Sequence, residues 1–187
     1  MNVAVFGGSF NPPHVAHVMA CALVLAVEDV ARILVVPTFH HPFGKPLAPY
    51  EDRLAMCGLA FAGMPQVEVS RVEQELGGES RTLRTLDHLA TTHAEWRLRL
   101  VIGADILAEA PRWFGFDAIT KLAPPIVLGR AGFDAPGAGP ALLPEVSSTR
   151  VRDAIARCDW SEAGHLVPRA VLAHIRAKEL YGARAPA

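Results

Sequence analysis

The chain has 187 residues, 51% of them hydrophobic, and 18 Lys and Arg against 19 Asp and Glu give a formal net charge of −1. That length suits one well-packed α/β unit rather than two, and the balanced charge excludes the positive excess of a protein that coats nucleic acid. The apolar run ending at Val27 stops at Glu28-Asp29, well short of the ~20 residues a membrane-spanning helix needs, so no membrane association is expected.

Taken in chain order, residues 2 to 6 read as a strand that ends at Gly7-Gly8. No Lys or Arg cluster precedes this short apolar run, so a cytoplasmic location is expected rather than export. From Val15 to Val27 the spacing of Val15, Val18, Ala22 and Leu25 predicts a helix whose other faces are also largely apolar, as in an interior helix. Residues 31 to 38, ARILVVPT, form a continuous apolar strand of the kind covered on both faces. A loop rich in His, Pro and Gly follows at 38 to 49, then a helix from about Tyr50 to Ala62 that carries Arg53 and Met56. Residues 66 to 72 alternate as a short strand, Gly77-Gly78 marks a turn, and 80 to 93 reads as a helix.

LRLVIG (98 to 103) is a strand, ADILAEAPRWFGFDAITKLA gives one or two short helices interrupted at Pro111, and PPIVLG (124 to 129) is another strand. A Gly/Pro loop over 131 to 140 has the composition of a lid. SSTRVRDAIARC opens a helix with hydroxyl caps, a last helix runs from about Pro168 to Tyr181, and the tail GARAPA is expected to fray. Cys21, Cys57 and Cys158 are odd in number and far apart, and read as reduced, buried thiols with no metal site. Strands alternating with helices and no linker between two cores predict one Rossmann-like α/β domain over 1–187. Its sheet would be doubly wound and mostly parallel, with the helices from about 148 packed on it. Ligands of such a sheet sit outside the carboxyl ends of its strands, where the strand order reverses.

The chemistry is concentrated in FGGSFNPPHVAH, residues 6 to 17. Glycines after a first strand let backbone N–H groups approach a ligand, and a following helix N-terminus favours an anion at the same point. Gly7-Gly8 alone also fit a plain tight turn. The stretch has neither the G-x-G-x-x-G dinucleotide spacing nor the Gly-Lys-Ser/Thr of a P-loop. His14 and His17, at i and i+3 on the first helical turn, would point the same way over that cradle and donate to phosphate oxygens. Zinc ligation would need a third ligand, and none is evident nearby.

GGSFNPPHVAH resembles the first motif of the HxGH nucleotidyltransferase superfamily, and EVSSTRVRDAI (145 to 155) resembles its second. IGADIL, the tryptophan of APRWFGF and the ending VPRAVLAHIRAKELYG extend the likeness, over almost the whole chain, to bacterial nicotinate-nucleotide adenylyltransferases. The resemblance implies an enzyme that joins the AMP moiety of ATP to nicotinate mononucleotide, giving deamido-NAD and pyrophosphate in NAD biosynthesis, with Mg²⁺ accompanying the ATP. Its substrates would be ATP and a mononucleotide, and the C-terminal helix could pack on its own core or on a second copy.

The same resemblance assigns Gly7, Gly8, Ser9 and Phe10 to the ATP-binding turn, His14 and His17 to the triphosphate, and Ser148, Thr149 and Arg152 to the β- and γ-phosphates. Asp105 would bind the ribose, with Gly103 allowing close approach. Thr82 and Thr85 become candidates for the nicotinate carboxylate, Trp113 for stacking on the pyridine, Lys45 for a phosphate contact and Arg130 for enclosing the substrates. The chain departs from the pattern at Asn11, where aspartate is common, at Ala16 in place of glycine, at HHPFGK in place of PPHK, and at Arg81 in place of a tyrosine. Alternatives are a sister enzyme acting on nicotinamide mononucleotide or phosphopantetheine, a non-catalytic sensor of adenine nucleotides and, more remotely, a zinc hydrolase.

Overall fold

The computed structural model describes residues 1–41, 44–107, 113–129 and 137–183. Five strands, β1 (Asn2–Gly8), β2 (Arg32–Pro37), β3 (Val67–Val69), β4 (Arg97–Gly103) and β5 (Pro125–Leu128), form one sheet in the order β3-β2-β1-β4-β5. Every pairing is parallel, so the expected mostly parallel sheet is wholly so among the described residues. The order reverses at β1, which pairs with its successor on one side and with β4 on the other.

The apolar strands are explained by burial on both faces. Val3 and Val5 of β1 and Leu34 and Val36 of β2 join a cluster with Leu86 and Leu89 of α4 (Thr82–Thr92) and Ile119 of α6 (Phe116–Leu122). Their alternates Ala4, Ile33 and Val35 pack with Ala20, Cys21 and Val24 of α1 (Val15–Val27) and Cys57 and Phe61 of α2 (Tyr50–Phe61). A third cluster is built from α7 (Ser148–Ala156), α8 (Trp160–Leu166) and α9 (Arg169–Ala177) against Ala16 and Met56. Val171 and Ile175 are thus buried in the chain's own core.

Several boundaries differ from expectation. β1 does not stop at Phe6: Gly7 and Gly8 stay in the ladder opposite Val36 and Pro37, because β2 supplies parallel partners that far. The tight-turn reading of the glycine pair is therefore replaced by a strand end. β3 stops at Val69, and Val72–Leu76 forms a short helix, α3, where a strand was expected to continue. The 104 to 123 region holds α5 (Ala104–Leu107) and α6, while the expected break at Pro111 lies outside the described residues. The helix expected to reach Tyr181 ends at Ala177, and a separate 3-10 turn, Leu180–Gly182, follows. Cys158 is exposed rather than buried, since it sits just beyond α7 with φ 57°.

Candidate functional site

The carboxyl ends of β1 and β4 open the crevice where the strand order reverses. Gly7 is exposed there, with nothing within 4 Å of where a Cβ would stand, so its backbone faces open space. Gly8 is a tighter case: a Cβ would meet the Phe10 ring at 3.3 Å. Phe10 itself has φ 44°, a left-handed conformation costly for a bulky residue. Its ring is buried edge-on to Phe6 at 5.5 Å and against His17 at 4.9 Å, and this packing holds the conformation. At the end of β4, a Cβ on Gly103 would collide with the carboxylate of Asp105 in α5, so that carboxylate lies folded over the glycine.

His14 is the N-cap of α1, with extended backbone (φ −139°), rather than a member of its first turn, and it is buried instead of pointing out. Its N–H donates to His17 Nδ1 at 3.1 Å. That bond makes Nδ1 an acceptor and leaves the neutral ring's proton on Nε2, the nitrogen suited to donate to an anion. The two imidazoles stack, with centroids 3.7 Å apart and planes inclined by 22°, so they do point the same way.

Residues 9 to 12 are held by four other parts of the chain. Arg53 of α2 donates to Ser9 O at 2.9 Å and to Ala48 O at 3.0 Å. The Ala48 N–H and the Tyr181 hydroxyl both donate to Asn11 Oδ1 at 3.0 Å. From α7, Arg152 Nη1 donates to Asn11 O and Ser148 Oγ to Pro12 O, each at 2.9 Å. The expected hydroxyl cap of α7 is Ser147, which accepts from the Arg150 N–H; Ser148 instead bonds the first motif, and Thr149 Oγ1 accepts from Arg152 at 3.2 Å. The two sequence motifs, remote in the chain, are thus bonded to each other.

Sequence reasoning placed Arg53 on its helix and missed what it does. The signal was available: Arg53 shares the inward row of α2 with Met56 and Cys57, an arginine on an apolar stripe. It is 1% exposed, and desolvation lowers its pKa. Asn11 was noted in the sequence only as a departure from the motif, and its bonding to Ala48 and Tyr181 was missed; burial pushes the Tyr181 phenol well up. His41 is held below its ordinary value by burial and then by the charges of Lys45 and Arg53.

The remaining candidates fall around this centre. Lys45 lies exposed in the loop before α2. Thr82 begins α4 and is half-buried, whereas Thr85 is buried, with its hydroxyl 3.5 Å from Glu73 Oε1 and 3.4 Å from Arg81 O. Of the two threonines, Thr85 is the less open to a ligand. Trp113 is half-buried, edge-on to Phe116 at 6.4 Å, and Gly115 (φ +72°) turns so close to Leu83 that a Cβ would stand 2.7 Å from it. Arg130, residues 131–136 of the expected lid and the last four residues of the tail lie outside the described residues.

The cytidylyltransferase-like family profile matches residues 5–154, which contain the first motif and all but the last residue of the second. The chain belongs to this nucleotidyltransferase family. Within it, a probable nicotinate-nucleotide adenylyltransferase of Anaeromyxobacter dehalogenans (strain 2CP-C) is 47% identical over 182 residues, covering 96% of each chain. One of the same name from Myxococcus xanthus is 43% identical, covering 97% of this chain and 95% of that protein. In fold, the chain matches a Plasmodium falciparum nicotinic acid mononucleotide adenylyltransferase complexed with NaAD, with a TM-score of 0.84 and 17% identity over 98% of both chains. The family's nucleotidyltransferase fold and this chain's parallel sheet are the same architecture.

No group of three or more His, Cys, Asp or Glu side chains among the described residues could hold a metal ion. No helix among the described residues is long and apolar enough to cross a membrane.

Proposed function

We propose that this chain transfers the AMP moiety of ATP to nicotinate mononucleotide, giving nicotinate adenine dinucleotide and pyrophosphate in NAD biosynthesis, as one folding unit working in the cytoplasm. The observation that carries the reading is the bonding of the His14/His17 turn to the start of α7, which sets cationic and N–H donors from both motifs around the crevice at the end of β1.

A mononucleotide 5′-phosphate oxygen attacks the α-phosphorus of ATP. The bond from that phosphorus to the oxygen bridging to the β-phosphate breaks, and its electron pair leaves with pyrophosphate. Alignment and charge stabilisation suffice for such a transfer, and no protein nucleophile is required. The buried thiols are unsuited to that role, since burial pushes Cys21 up to about 12 and Cys57 higher still.

In this reading Gly7, Gly8, Ser9 and Phe10 shape the nucleotide turn, Gly103 admits the ribose and Asp105 accepts its hydroxyls. His14 and His17 donate to the leaving phosphates. Arg152 has two donors committed to Asn11 O and Thr149 Oγ1 and offers the others to the β- and γ-phosphates. Ser148, whose hydroxyl donates to Pro12 O, contributes through the N–H groups of the first turn of α7, and Thr149, whose Oγ1 accepts from Arg152, keeps its O–H to donate. Lys45 adds a phosphate contact, and Thr82 and Trp113 flank the pyridine. Mg²⁺ bound on the phosphates supplies neutralisation of their charge.

The test is pyrophosphate release on mixing the protein with ATP and Mg²⁺ and, in parallel, nicotinate mononucleotide or nicotinamide mononucleotide. Release with the acid in clear excess over the amide is expected. Release with neither acceptor overturns the reading.

A further inference from the structure

We infer that Arg81 is a binding residue for the carboxylate of the pyridine substrate, and thereby sets this chain's preference for the acid over the amide. The inference rests on the adenylyltransferase reading above. Arg81 immediately precedes α4 in an extended conformation (φ −131°, ψ 120°). Its guanidinium carbon lies 5.2 Å from the ring centroid of Phe114, the neighbour of Trp113, and that ring is 70% exposed. A cation therefore stands at the same aromatic turn that the reading gives to the pyridine.

The position is fixed by the chain around it. Ser80 Oγ accepts from the N–H groups of Phe39 and His40 at 3.0 and 3.2 Å, and the Ser80 N–H donates to His40 O at 3.0 Å. These bonds tie the residues before α4 to the segment that leaves β2 at the carboxyl edge of the sheet. On the other side, Gly115 brings the aromatic turn against Leu83. Arg81 is thus clamped between the sheet edge and that turn.

Neighbouring arginines are already committed. Arg84 donates to the carbonyls of Leu76 and Gly77, and Arg71 is bound to Glu51 and Gln74. Among the described residues Arg81 has one anionic partner, Glu79 at 3.0 Å, and both side chains are about half exposed. An exposed pair between near neighbours contributes little, so a substrate carboxylate can take the place of Glu79 on the guanidinium. The planar fork matches a carboxylate through two parallel N–H···O bonds. A carboxamide offers one oxygen, no charge, and an NH₂ group that faces the second donor.

The test is the kcat/KM of pyrophosphate formation with nicotinate mononucleotide and with nicotinamide mononucleotide, for the wild type, Arg81→Gln and Arg81→Lys. Arg81→Gln is expected to lower the acid-to-amide ratio by about tenfold or more, with the loss mainly in KM for the acid, while Arg81→Lys, which keeps charge without the fork, falls between. Glu79→Gln, which releases the guanidinium, is expected to hold or raise the ratio. A wild type that prefers the acid, with an unchanged ratio in both Arg81 variants, overturns this inference and leaves the adenylyltransferase reading standing. A wild type inactive with both acceptors overturns that reading first, before any variant is made. Equal use of the two acceptors by the wild type overturns the inference alone.

Discussion

His17 is held by a backbone donor on one nitrogen, with its other nitrogen the proton carrier, and is packed against Phe6 and Phe10. A donor preorganised in this way costs no reorientation when charge develops on the leaving pyrophosphate, and losing one such donor typically lowers turnover by ~10². His17→Ala is expected to show that loss in kcat with the acid substrate, and normal turnover would remove His17 from the phosphate site. Glu73 shows a second single-residue effect. It accepts from the Phe39 N–H at 2.9 Å, lies beside the Ser80 and Thr85 hydroxyls, and burial raises its pKa in spite of those bonds. A carboxyl whose folded pKa is raised binds its proton more tightly in the native state. Its contribution to stability is therefore complete below the ordinary glutamate value of 4.5 and is lost as pH rises through the higher folded value. Glu73→Gln cannot titrate, so urea midpoints measured across the acid range should decline less with rising pH in the variant than in the wild type. Parallel curves would show that Glu73 is not the group responsible.

Among the elements, the β1–α1 turn depends on parts of the chain that enter from elsewhere. Asn11 Oδ1 accepts two hydrogen bonds, one from Ala48 ahead of α2 and one from Tyr181 beyond α9. Asn11→Ala leaves two half-buried donors without their acceptor, a loss of about 1 to 3 kcal/mol in all, whereas Asn11→Asp keeps an acceptor oxygen for each. Chemical denaturation should rank the aspartate variant near the wild type and the alanine variant well below. Equal losses would mean that the side chain's volume, not its oxygen, matters there. This dependence also explains what the sequence could and could not disclose. β2 and β4 were legible because continuous apolar strands covered on both faces have a local signature, and α1 because its apolar spacing does. α3 was not, because Val67 and Val69 alternate and the valine at 72 reads as the end of the same short strand, although the ladder with β2 ends at Val69. The end of α9 was hidden too. Glu179 and Tyr181 adopt φ 48° and 60° without being glycine, and the Tyr181 hydroxyl bonds a residue 170 positions away. No local pattern records a contact of that range. At the candidate site, the histidines, glycines and Arg152 could be read as types suited to phosphate; the burial of Arg53 was legible from its place on the apolar row of α2, while its partners, two backbone carbonyls, carry no sequence mark.

At the scale of the whole molecule, the site is where the two ends of the chain meet. The bonds from Ser148 to Pro12, Arg152 to Asn11 and Tyr181 to Asn11 span 136, 141 and 170 residues. A ligand gripped by only the first motif would steady residues 7–17 and leave α7 free to open. One gripped by both must stabilise both together, since opening either half would release it, and a ligand at a hundredfold excess over its Kd adds about 2.7 kcal/mol against every such opening. Hydrogen exchange measured with and without nicotinate adenine dinucleotide should therefore slow in parallel over residues 7–17 and 147–156. The opposite end of the sheet provides the internal control. The recess lined by Trp96, Arg97 and Arg99 lies at the amino ends of the strands, and local openings there are not linked to the ligand. Protection confined to 7–17 would mean that α7 braces the turn without touching the nucleotide, and Arg152 would then be a positioning residue acting through Asn11. Joint protection would make the contact between the two motifs the closed form of the site.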